Sequence, residues 1–123
     1  MMCGQRNPLS LGLSFRQEGE GKVSASFQAH PGFQGYDGIM HGGMIAALLD
    51  AAMTNCLFAN GIKALTADLH VRFRKPVPCE AKLELQAQTV SSKPPLYLVR
   101  AELLCENKVM AVARAKFMKG KEL

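Results

Sequence analysis

A chain of 123 residues, 48% hydrophobic and 20% charged, has the length of one domain and an ordinary globular balance, which excludes a disordered or fibrous protein. No apolar run approaches the roughly 18 residues of a membrane span. The opening MMCGQRNPLS lacks the apolar core of a signal peptide, and Cys3, Cys56, Cys79 and Cys105 include no C-x-x-C pair, which argues against structural zinc and a disulfide framework.

Free thiols point to the reducing cytoplasm. The net charge of +5 suits an anionic partner such as a polyphosphate. The basic residues are scattered, however, and no nucleic-acid-binding motif stands out. Neither nucleic acid nor a membrane is expected as a partner, and neither a metal nor a resident cofactor is expected.

In chain order, Leu11–Gln17 and Lys22–Gln28 alternate apolar and polar residues around Glu18-Gly19-Glu20-Gly21. The spacing predicts a hairpin of two half-buried strands. His30–Met40, with Pro31 and several glycines, reads as a loop in which backbone can approach a ligand closely. From Gly42 to Asn60 the period becomes helical. Ile45, Leu48, Leu49, Ala52, Met53, Cys56 and Leu57 recur at three- and four-residue steps, and Gly61 follows as a stop. A helix apolar on nearly all sides is a buried one.

Four more strands follow. Leu65–Arg74 alternates, with Thr66, Asp68, His70, Arg72 and Arg74 as its polar set, and Pro76 and Pro78 end it. Ala81–Val90 places Ala81, Leu83, Leu85, Ala87 and Thr89 inward. Leu96–Cys105 and Val109–Met118 complete the set. Short turns between them imply an antiparallel meander. The expected fold is α+β, a single domain over residues 1–123 in which a curved antiparallel sheet of about six strands wraps one long central helix.

The chemistry concentrates where the glycine loop enters the helix, at Gly38-Ile39-Met40-His41-Gly42-Gly43. The first N–H groups of a helix lack internal partners and carry partial positive charge, so they suit an oxyanion or a polarised carbonyl. Asp50 follows Gly43 by seven residues, about two turns, and shares its face. A carboxylate among Leu48, Leu49, Ala51 and Ala52 is costly unless it is paired, solvated or used.

His41-Gly42-Gly43 with Asp50 nine residues after the histidine resembles the helix-start motif of the PaaI-type thioesterases of the hotdog superfamily. Thr66, Phe73 and Pro76 in the following strand are similar to that family as well. Cys3-Gly4, Asn7 and Pro8 resemble the opening of a bacterial subgroup. The resemblance covers almost the whole chain and implies a hotdog fold and hydrolysis of an acyl-CoA to free acid and CoA. It implies that Gly43 donates its N–H to the thioester oxygen and that His41 orients the thioester or the loop. Asp50 is then the general base for water or the nucleophile. Thr66 helps position the water, from a neighbouring subunit. A homodimer or homotetramer with active sites at the subunit interface is implied.

The family's asparagine six residues before the histidine is Gly35 here, and Gln34 is the closest chemical substitute, with Tyr36 and Asp37 as others. Gly42 and Met44 are expected to line the substrate slot, and Arg72, Arg74 and Lys93 to meet the CoA phosphates. Met40, Met53, Leu57 and Phe58 are further candidates for an acyl tunnel. The alternative is a non-catalytic acyl-CoA or lipid-binding hotdog protein, and Gly35 favours it.

Overall fold

The computed structural model describes residues 13–28, 34–36, 39–78 and 81–119. The strands are β1 (Arg16–Gly19), β2 (Lys22–Gln28), β3 (Gln34–Tyr36), β4 (Ile39–Met40), β5 (Leu65–Phe73), β6 (Lys82–Lys93), β7 (Leu96–Cys105) and β8 (Lys108–Met118), with the helix α1 (Gly42–Phe58) before β5. Six strands form one sheet in the order β1-β2-β6-β7-β8-β5, and β3 and β4 make a separate ribbon at the helix entrance. Every pairing is antiparallel. The chain leaves α1, runs along the far edge as β5, and returns through the β6–β7–β8 meander.

The meander follows from its turns. Glu106 and Asn107 both adopt positive φ, 51° and 66°, the mirror-image turn whose twist matches that of the flanking strands. The β6–β7 turn is only Pro94-Pro95, because β6 runs three residues past the expected Val90. β1 starts at Arg16, and Leu13–Phe15 form no strand. Residues 11 and 12, the Cys3–Pro8 opening and Asp37 lie outside the described residues.

The sheet curls around α1, which packs on β2, β5, β6, β7 and β8. A row of small side chains makes room for it: Ala87 faces Ala101 and Ala101 faces Ala113 across three neighbouring strands, all buried. Around this seat, Leu48, Leu49, Met53, Leu57, Leu85, Leu103 and Phe117 are fully buried. Removing such side chains from water supplies about 1.5–3 kcal/mol each. The helix is covered on most sides. Gly43, Ala47, Asp50, Thr54 and Phe58, spaced by three or four residues, form the stripe left partly open.

Two strands change phase midway. In β6 the register slips between Thr89 and Ser91, so Val90 is the extra residue of a bulge and stands 60% exposed. In β5 the slip falls between Thr66 and Asp68. The expected unbroken alternation of that strand is therefore broken at Ala67. Thr66 pairs with inward-facing Phe117, whereas Asp68 pairs with outward-facing Lys116.

Candidate active site

Asp50 lies on the open stripe of α1, half-buried. The β5 bulge turns Thr66 away from Asp68, His70 and Arg72 and toward the helix. The Thr66 hydroxyl donates to Asp50 Oδ1 at 2.7 Å. A hydrogen bond to a carboxylate is among the stronger kinds. Among the described residues no other side chain is hydrogen-bonded to that carboxylate. The resemblance implied that Thr66 would reach in from a neighbouring subunit; its hydrogen bond is with the Asp50 of its own chain.

The helix entrance forms a second group. His41 is the N-cap, with extended backbone (φ −63°, ψ 133°). Its carbonyl accepts from the N–H groups of Met44 and Ile45, both at 3.1 Å. The His41 ring folds back so that Nδ1 accepts the Gly43 N–H at 2.9 Å. Position 43 must be glycine for this fold-back: a Cβ there would stand 2.9 Å from His41 Cε1. The Gly43 N–H expected to meet a thioester oxygen is thus held by imidazole, in an exposed position. The Gly42 N–H beside it meets no acceptor among the described residues. The Phe73 ring covers Gly42, 3.6 Å from where a Cβ would stand, and is itself 52% exposed.

The structure separates these two groups along one helix. Seven residues at about 1.5 Å per residue put Asp50 about 10 Å from Gly43 along the axis. Gln34 stands in β3 opposite Met40, beside the helix entrance. Met44 is half-buried against the core. Met40, Met53 and Leu57 are core residues, at 4%, 0% and 1% exposure. Phe58 is exposed, at the far end of the open stripe.

The expected cation set divides too. Arg72 and Arg74 are exposed on and just after β5, around a shallow depression of about 370 Å³ shared with His70 and Arg114. Lys93 is at the tip of the β6–β7 hairpin, with β7 and β8 between it and β5, so it does not join them. Sequence reasoning missed the Ala67 bulge that aims Thr66, and no residue at that point is a glycine or proline that could have signalled it. No group of three or more His, Cys, Asp or Glu side chains among the described residues could hold a metal ion. No helix there is long and apolar enough to cross a membrane.

Residues 37–116 match the family model described as Thioesterase superfamily. Over 74 residues the chain is 32% identical to acyl-coenzyme A thioesterase THEM4 of Bos taurus, covering 60% of this chain and 30% of that protein. The chain thus spans about a third of the length of that relative. In structure it is similar to a phenylacetic acid degradation-related protein of Ralstonia eutropha JMP134, with TM-score 0.80, 25% identity, and 89% and 86% of the two chains covered. It is similar in fold to the E. coli PaaI protein of the phenylacetic acid degradation operon, with TM-score 0.83, 20% identity, and 90% and 81% covered. The same holds for a Streptococcus mutans UA159 protein bound to acetyl CoA, with TM-score 0.85, 16% identity, and 94% of each chain covered. Family match, sheet order and helix entrance agree, and the chain belongs to the thioesterase superfamily, with the PaaI-like hotdog fold.

Proposed function

We propose that this chain is an acyl-CoA thioesterase, with Asp50 as the general base for water or the nucleophile and Thr66 holding its carboxylate. The observation that carries the reading is the 2.7 Å Thr66–Asp50 hydrogen bond on the partly open stripe of an otherwise buried helix. Thioester hydrolysis needs a base or nucleophile and a donor for the developing oxyanion. A carboxylate bonded on one oxygen by a threonine, with no second partner among the described residues, suits the first task. The helix-start amides suit the second. CoA phosphates have cations available at Arg72 and Arg74, beside the same strand. That the related THEM4 proteins are named acyl-coenzyme A thioesterases, and that a protein of the same fold is bound to acetyl CoA, supports this substrate class.

One thioester cannot meet both groups within a single chain. A reacting carbonyl lies about 3 Å from its donor and about 3 Å from its base or nucleophile, whereas Gly43 and Asp50 are about 10 Å apart along the helix. A second copy resolves this: its helix entrance supplies the amide to this chain's Asp50, and the exchange is reciprocal. β5 favours such a partner. It is a nine-residue edge strand, with Leu65 63% and Phe73 52% exposed, and exposed edges of this kind pair with another chain. In the working site a thioester oxygen takes the place of His41 Nδ1 on the Gly43 N–H, and the ring turns aside.

The test is thiol release from a panel of aromatic and aliphatic acyl-CoA thioesters, with wild type and Asp50→Asn side by side. Turnover of at least one ester, lowered about 10²-fold or more in the variant, is the expected result. Retained CoA-ester binding without turnover in wild type would sink it. A binding protein would then be the better reading, with His41 as a fixed plug on the Gly43 amide and Gly35 as the missing contact.

A further inference from the structure

Exposed large apolar side chains are not spread evenly over this molecule. At the end of the sheet where β6 turns into β7 and β8 finishes, Val90 is 60%, Met118 43% and Leu96 37% exposed. Leu96 and Met118 are register partners on adjacent strands. Val90 is thrown outward by the β6 bulge, beside Leu98. Such a cluster, rimmed by polar groups, marks an interaction surface.

The rim is cationic. Lys93 pairs with Leu96 across the hairpin tip. Lys119 donates its backbone N–H to the Pro95 carbonyl at 2.9 Å, which sets it against the same tip. Both side chains are exposed. Successive outward rows of a sheet are about 7 Å apart. One row behind the apolar cluster stands Lys116, opposite Asp68, whose carboxylate lies 3.3 Å from His70. Two rows behind, Arg100 and Arg114 face each other directly, an arrangement that repels unless an anion lies over it. Of that pair only Arg100 has a carboxylate near it among the described residues, Glu102 at 3.8 Å. A shallow groove of about 370 Å³ connects the rows, lined by Val90, Leu98, Arg114 and Lys116 among others.

We propose that this corner docks on the surface of an anionic phospholipid bilayer. The leading apolar side chains enter the headgroup layer, and the cations standing about 7 and 13 Å behind them meet lipid phosphates. That ordering matches the depth of about 5–10 Å to which interfacial apolar faces sink. A second copy of the chain is the poorer occupant, because a two-fold contact through this corner sets lysines against lysines. A nucleic acid offers the phosphates but nothing to cover the apolar cluster. The inference does not use Asp50, and although Met118 is the register partner of Leu65 on β5, none of the residues changed in its test lies on that strand.

The experiment is co-sedimentation of the full chain with vesicles of phosphatidylcholine alone and of phosphatidylcholine containing phosphatidylserine. Two variants accompany it, Lys93→Ala/Lys119→Ala and Val90→Ser/Leu96→Ser/Met118→Ser. All five side chains are exposed, and unchanged circular dichroism and thermal unfolding establish that the variants fold. Expected is binding to the phosphatidylserine vesicles that weakens with salt and falls about 25-fold in the lysine variant, at about fivefold per lysine. The apolar variant is expected to lose binding as well. Wild type that stays in the supernatant at low salt would overturn the proposal. So would variants that bind like wild type, or a self-association that the apolar variant abolishes while no vesicle is bound.

Discussion

At the scale of single residues, the site rests on two hydrogen bonds. Replacing Thr66 by valine keeps the shape and removes the donor to Asp50. A hydrogen bond to a charged group is worth about 1.5–3 kcal/mol, so kcat is expected to fall about 10- to 100-fold with KM little changed, read from steady-state thiol release. The second bond is the His41 cap on Gly43. His41→Ala should cost about 1 kcal/mol of stability, as N-cap losses do. Gly43→Ala pushes the same ring aside, since its Cβ would stand 2.9 Å from Cε1. The double variant should therefore be no less stable than the worse single one in denaturant titration, because both changes remove one bond. Cys56 supplies a pH test. Its thiol, which lies 3.2 Å from the Gly21 carbonyl oxygen, is pushed above its ordinary value of 9.0 by burial. Above that value the unfolded chain ionises while the folded one resists, so stability should decline as pH rises past about 9. A thiol-reactive probe should reach Cys56 only on unfolding.

At the scale of elements, β5 both aims Thr66 at Asp50 and leaves an open sheet edge. Its residues alternate so regularly that Thr66 reads as one of an outward polar row. The bulge at Ala67 reverses that, and the reason lies in the partner strand: Thr66 pairs with Phe117, which belongs to the core. The local pattern carries no trace of it. The same strand leaves its outer edge open, with apolar residues at both ends. Leu65→Lys with Phe73→Lys places charges where a second copy would pair. The double variant is expected to sediment as a monomer with its circular dichroism unchanged and to lose turnover in parallel. Turnover retained by a monomeric variant would refute the shared site.

At the scale of the whole molecule, the helix is held because the sheet has a seat for it. Ala87, Ala101 and Ala113 form that seat, and Ala101 is its centre at 2% exposure. Ala101→Leu forces three extra carbons between helix and sheet and should cost about 1–3 kcal/mol. Phe117→Ala, which opens a void under the same helix, should cost about 3–5 kcal/mol. Both are measured by chemical denaturation.

Much of this arrangement is legible from the residues alone. The helical period from Gly42 onward, the two-residue alternation of the later strands and the turn residues between them are local properties, and local sterics and burial select among few conformations. His41-Gly42-Gly43 and Asp50 could be singled out because glycines at a helix entrance and a carboxylate within an apolar helix are each costly without a use. Three things were not legible. They are the pairing of Thr66 with its own chain's Asp50, the capture of the Gly43 amide by His41, and the burial of Met40, Met53 and Leu57 in the core. Each depends on which residues from distant parts of the chain end up side by side. Strand register and helix seating set that, and both are decided by how the whole apolar surface packs rather than by any one segment.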